Sequence, residues 1–157
     1  MKYLIECKPD KLLIKLVTGA PKKSVIHTAN KTEVIKMLFK IPDDAIGIID
    51  EDPGSSQPSH LKKFRLKQDL SDHGLAMLEE NDSGKKLVII KPRLEEWLLR
   101  AGKESAISFK EYNLPETGKD LHKVINTNLE KLKLILEKLF KVNCLRLLKL
   151  KEILECR

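Results

Sequence analysis

Asp50 and Asp52 stand one residue apart at the end of an apolar run, in the stretch AIGIIDEDPG from Ala45 to Gly54. Ionised carboxylates this close repel each other, and a divalent cation taking hard oxygen ligands is the usual way to make the arrangement favourable. The chemistry open to such a pair is metal-assisted. Its setting agrees, because Ala45, Ile46, Ile48 and Ile49 leave no polar face, as in a strand buried on both sides of a parallel sheet, and Pro53 and Gly54 stop it. Ligands of open α/β sheets bind in the crevice outside the carboxyl ends of the strands, which is where Asp50 and Asp52 then fall. A solvated turn capped by Asp50 is the plain alternative, and for an isolated D-x-D it is the favoured one.

Placing that strand in a sheet requires neighbours, and residues 1–50 supply them. Lys2 to Glu6 reads as a strand, and Pro9 and Asp10 open a helix with Leu12, Leu13, Leu16 and Val17 on its apolar face, closed by Gly19, Ala20 and Pro21. Ser24 to Thr28 is a second strand, and Asn30 caps a second helix carrying Val34, Ile35, Leu38 and Phe39, ended by Ile41, Pro42 and Asp43. The order β-α-β-α-β is that of a parallel α/β sheet. Beyond it, Gly54 to Pro58 and the basic run His60 to Gln68 lack a long apolar face and read as a flexible or ligand-ordered loop. Leu75 to Glu79 and Leu87 to Ile90 are two strands joined by Asn81 to Gly84 as a hairpin, adding an antiparallel element. A helix is expected from Pro92, with Glu95 and Glu96 in its early turn, Leu94, Trp97, Leu98 and Ala101 on its apolar face, and Gly102 after its end. Residues 103–118 are irregular. Leu121, Ile125, Leu129, Leu132, Leu136 and Leu139 then recur three or four apart as one long amphipathic helix, with another over Leu145 to Leu154.

The 157 residues suffice for a single core, divided into an α/β part at 1–118 and a helical extension at 119–157 packed on it. Lys and Arg number 30 against 23 Asp and Glu, a net charge of +7 that suits a polyanionic partner such as nucleic acid and equally a plain solvated surface. The extension carries 10 Lys and Arg against 5 Asp and Glu. Its Lys residues suit the solvated face of helices packed on the sheet, with a homo-oligomer or partner-binding role as the alternative. Three cysteines, Cys7, Cys144 and Cys156, show no metal-ligand spacing and imply reduced thiols in a cytoplasmic protein. No signal peptide or membrane anchor is expected. His27, His60, His73 and His122 are isolated in sequence and receive no role.

A strand ending in Glu6, Asp10 at the following helix start, and the D-x-D ending the third strand together resemble the Toprim fold of topoisomerases, primases, ribosomal-RNA maturation nucleases and overcoming-lysogenization-defect nucleases. The first motif stands as YLIECKPD, with Cys7 where the family usually has Gly, and the second as GIIDED. Because Gly in such a turn permits a positive φ, Cys7 leaves the loop conformation open. The segment IIKPRLEEWLL resembles one found in standalone Toprim-like proteins of the RloB type, matching at Pro92, Glu95, Trp97, Leu98 and Leu99, with Leu94 in the place of Phe. The resemblance spans about residues 2–100 and implies a three-layer α/β sandwich with a mainly parallel sheet.

It further implies a Mg²⁺-dependent nuclease, or a related phosphoryl-transfer enzyme, acting on DNA or RNA in defence or nucleic-acid processing. Asp50 and Asp52 would hold Mg²⁺ or Mn²⁺, and Glu6 would be a further ligand or the general acid/base. Asp10 and Glu95 are candidates for a second metal position or for orienting the ligands. Lys62, Lys63, Arg65 and Lys67 could neutralise a nucleic-acid backbone, although such a run is also an ordinary solvated face. Taken without the resemblance, Glu95 complements a helix N-terminus, Trp97 is core, and Cys7 is a small buried residue rather than a nucleophile. The competing functional reading is a non-catalytic Toprim-like module that binds nucleic acid, a nucleotide or a protein such as an ATPase.

Overall fold

The computed structural model describes residues 1–42 and 44–156, so Asp43 and Arg157 lie outside the described residues. Six strands form one sheet: β1 (Lys2–Ile5), β2 (Val25–His27), β3 (Ala45–Asp50), β4 (Phe64–Leu70), β5 (Leu75–Glu80) and β6 (Lys86–Ile90), in the order β2-β1-β3-β6-β5-β4. β1 runs parallel to β2 and β3, and β3 parallel to β6, while β5 lies antiparallel to both β6 and β4. Successive side chains of a strand point to opposite faces, and here both faces are apolar. Tyr3, Ile5, Ile46, Ile48, Leu75, Met77, Val88 and Ile90 enter one core, and Leu4, Ala45, Ile49, Ala76, Leu87 and Ile89 enter the other.

The helices are α1 (Lys8–Thr18), α2 (Lys31–Lys40), α3 (Leu94–Glu104), α4 (Gly118–Thr127), α5 (Leu129–Lys141) and α6 (Leu145–Glu155). Among the described residues, α2 is the one α-helix with buried side chains in the smaller core, through Val34, Ile35 and Leu38. The larger core takes Leu13, Ile14 and Val17 from α1, Trp97, Leu98 and Ala101 from α3, and the buried leucines and isoleucines of α4, α5 and α6. The result is the three-layer α/β sandwich expected, with a mainly parallel sheet, a hairpin of β5 and β6, and C-terminal helices on the same core. Glu80 secures that hairpin by accepting bonds from the backbone N–H of Asp82 at 3.2 Å and of Ser83 at 2.7 Å.

Three local expectations are corrected. The basic run His60 to Gln68 is not a flexible loop: a 3-10 turn over Ser59–Lys63 leads into edge strand β4. Of β4 only Phe64 is buried, and the strand is held by backbone pairing to β5, which leaves no apolar alternation to read. The single long C-terminal helix is two, because Asn128 leaves helical geometry (φ −134°, ψ 81°) and its side chain accepts from the Lys131 N–H to cap α5. The apolar stripe runs across that break because both helices face one core. Finally, α3 starts at Leu94 rather than Pro92 and continues past Gly102, where an added Cβ would lie 2.5 Å from the Phe109 ring. That glycine serves close packing instead of ending the helix.

Gly47 on β3 plays the same part beneath α2, since a Cβ there would lie 2.7 Å from Leu87 Cδ1 and 3.0 Å from Val34 Cγ1. Gly47→Ala is expected to destabilise the fold by about 1–3 kcal/mol through overpacking, read as a lower denaturant midpoint at unchanged slope.

Candidate functional site

The sheet order fixes where a ligand would sit. β1 leads through α1 on one face to β2, and β2 leads through α2 on the other face to β3, so the connections diverge between β1 and β3. A crevice opens at such a switch point beyond the carboxyl ends of the strands. Glu6 is the first residue after β1 and Asp50 the last of β3, which puts both at that crevice. Asp10 joins them from the first turn of α1, buried at 6 % exposure, its Oδ2 accepting from the Cys7 N–H at 3.2 Å. Cys7 itself caps α1 with φ −136° and ψ 170°, extended backbone that any residue adopts, so the absence of Gly there costs no strain.

Glu95 comes from the start of α3. It too is buried at 6 % exposure, and His122 Nδ1 of α4 lies 2.6 Å from its Oε1. The backbone N–H of Leu94, at the N-terminus of the same helix, favours the ionised form of the Asp50 carboxyl group. Asp52 takes a left-handed conformation at φ 49°, with its N–H donating to Pro92 O at 3.0 Å. Its carboxylate is held by two cations, Lys31 Nζ at 3.3 Å and Arg93 Nε at 3.2 Å. Lys31 is itself buried and also donates to Glu51 O at 3.2 Å and Gln57 Oε1 at 3.3 Å, which ties the loop after β3 to the start of α2.

Crowding and burial push these carboxyl groups upward. Burial, reinforced by Asp10, raises Glu6 to about 7, with the Lys31 cation pulling the other way. Burial and the neighbouring charges of Asp10, Glu95 and Asp52 raise Asp50 to about 8, against the Leu94 N–H. Asp10 is lifted by burial to about 6, its bonds from Cys7 limiting the rise. The Cys7 thiol is driven up, first by burial and then by Asp10, which keeps it protonated and poorly nucleophilic at neutral pH. All three cysteines are free of disulfides.

The fold thus gathers Glu6, Asp10, Asp50, Asp52 and Glu95 from four segments. Glu6 Oε1 is buried without a hydrogen-bond partner. Among the described residues no three His, Cys, Asp or Glu side chains are placed so that they could hold a metal ion as they stand. Arg65 and Lys67 are not brought to this group. Across the sheet Asp50 is level with Ile90, Leu75 and Leu70, whereas Arg65 is level with Glu79, Lys86 and Ile46 at the opposite end of the strands. That offset is roughly 13 Å along the strands and roughly 14 Å across three strand spacings. Lys62 and Lys63 lie in the turn just before β4, Lys67 is already ion-paired with Glu79, and Lys63 Nζ lies 5.5 Å from the centre of the Phe39 ring. Trp97 is wholly buried, with Nε1 donating to His73 O at 2.8 Å, so it is core.

Lys31, Arg93 and His122 were not legible as site residues. Lys31 reads as an ordinary first residue of a helix, and His122 meets Glu95 only through the fold. Arg93 offered one signal, its place inside the IIKPRLEEWLL segment. No helix among the described residues is long and apolar enough to cross a membrane. Comparison with family models, with curated proteins and with solved structures finds no match to the chain.

A carboxyl group whose pKa is raised on folding binds its proton more tightly in the folded chain than in the unfolded one, whose value is about 4. Their contribution is fully favourable below that value and is lost as pH climbs through the folded values of about 6, 7 and 8 for Asp10, Glu6 and Asp50. Glu104, held below the usual carboxylate range by Arg146, acts in a lower window that does not overlap. The thermal midpoint of the metal-free protein should therefore fall between about pH 5 and pH 8, and Asp50→Asn should flatten the fall. A midpoint that is constant or rises over that range in the wild type would contradict the burial described here.

Proposed function

We propose that the chain is a Toprim-like, Mg²⁺-dependent phosphoryl-transfer enzyme that cleaves nucleic acid. The observation that supports this reading is the convergence of Glu6, Asp10, Asp50 and Asp52 at the switch-point crevice, with Glu6 Oε1 buried and unpartnered. The donor set is all carboxylate, the hard oxygen chemistry that Mg²⁺ and Mn²⁺ prefer, and a cation would relieve the repulsion that raises Glu6 and Asp50. Asp50 and Asp52 would hold it. Mg²⁺ is commonly bound by one or two carboxylates together with substrate phosphate, so a complete protein cage is not required. A bound ion would polarise the scissile phosphate and offset the charge that builds there.

The remaining work falls to the chain's own groups. Glu6, raised to about 7, can both accept and give up a proton near neutral pH, as a general acid/base must. Lys31 and Arg93 hold Asp52 and the loop that carries it. Asp10 and Glu95, committed to Cys7 and His122, set the charge around the crevice instead of ligating the ion.

The second reading, a non-catalytic nucleic-acid-binding module, is favoured by one feature: Asp52 is already neutralised by two cations, with which any metal must compete. Calorimetric titration of Mg²⁺ and Mn²⁺, paired with cleavage of labelled DNA and RNA, separates the two. The enzyme reading expects metal binding that is lost in folded Asp50→Asn/Asp52→Asn, with cleavage reduced at least roughly 100-fold. Nucleic-acid binding that survives chelator, with no cleavage by the pure wild type, would favour the module.

A further inference from the structure

A cleft of about 430 Å³ adjoins the carboxylate crevice, with Asp52 and Arg93 on one side and α4 on the other. α4 presents Lys119, His122 and Lys123 to it, positions spaced i, i+3 and i+4 and therefore on one face of the helix. Of the acids lining the cleft, Asp52 is held by Arg93 at 3.2 Å and by Lys31, Glu95 Oε1 meets His122, and Glu96 reaches Arg93 at 3.4 Å through Oε1 while its Oε2 is buried without a partner. Lys119 and Lys123 are exposed, and their ammonium groups have no ion-pair or hydrogen-bond partner among the described residues. They are the unmatched charge of the cleft.

We propose that this face of α4 is where a nucleic-acid strand lies, with Lys119 and Lys123 each neutralising a backbone phosphate. Charge complementarity selects the occupant: two unmatched cations about 6 Å apart along a helix suit successive phosphates of a phosphodiester chain. The bond between His122 and buried Glu95 fixes how α4 presents them, since it ties α4 to α3 beside the crevice. The strand is thereby laid beside Asp52, and Arg65, at the other end of the sheet, and Lys67, paired with Glu79, take no part. The inference rests on the phosphoryl-transfer reading for the reason a strand should lie there, but not for its test.

That test is binding of a short fluorescein-labelled single strand, in DNA and RNA arms, to the full chain in EDTA over a series of salt concentrations. Wild-type affinity should fall linearly with salt on logarithmic axes, and Lys119→Ala and Lys123→Ala should each reduce the slope by roughly 0.7, the value for one phosphate contact on a single strand. Charge reversal in Lys119→Glu/Lys123→Glu should weaken binding further, while Arg65→Ala/Lys67→Ala should leave slope and affinity unchanged. Both lysines are solvent-exposed, and circular dichroism checks that each variant is folded. An unchanged slope in folded Lys119→Ala/Lys123→Ala, absence of wild-type binding in both arms, or a loss confined to the Arg65/Lys67 variant would overturn the proposal. Absence of cleavage in a separate assay with Mg²⁺ or Mn²⁺, with these slopes intact in chelator, would overturn only the enzymatic reading.

Discussion

Several carboxyl groups withdrawn from water within reach of one another form the constraint to which the rest of the site answers. Each resists ionisation where it sits, and each makes ionisation of the next harder. The fold manages this with single, directed compensations: the Cys7 N–H at Asp10, the Leu94 N–H at Asp50, His122 at Glu95, and Lys31 with Arg93 at Asp52. Glu6 Oε1 is left without a partner, as is Glu96 Oε2 beside Arg93. Buried polar atoms are nearly always satisfied, so an exception at a crevice selected by sheet topology draws attention to chemistry more strongly than acidity alone.

Much of this was legible because its signals are local. The apolar run into Asp50, the Asn30 cap and the alternation of strand and helix over residues 1–50 each depend on neighbouring residues, and the sheet follows them. Local signals failed where tertiary contacts decide. β4 is a strand because β5 offers it a row of backbone partners, although its own side chains face water. The stripe from Leu121 to Leu139 keeps its period through Asn128 because two helices share one core, so periodicity could not reveal the break.

The same distinction separates the site residues. Glu6, Asp50 and Asp52 could be read because strand ends carry them, and Asp10 because it opens a helix. Their partners could not. Lys31 reaches Asp52 from the start of α2, Arg93 from the residue before α3, and His122 meets Glu95 from 27 residues away. A sequence displays a cluster of acids more readily than the scattered cations that make it tolerable. Arg65 illustrates the converse, since a charge in the basic run that follows the third strand ends up level with that strand's beginning, not with Asp50.

The contact between Glu95 and His122 also bears on how the molecule moves. Residues after Gly118 lie outside the sheet, yet they complete its larger core and supply the imidazole that meets a buried carboxylate of α3. The C-terminal helices are therefore not an appendage that can open and close independently of the sheet. Any fluctuation that lifts α4 strips Glu95 of its counterpart and admits water beside Asp50, so the breathing of one peripheral helix is coupled to the charge balance at the centre of the protein.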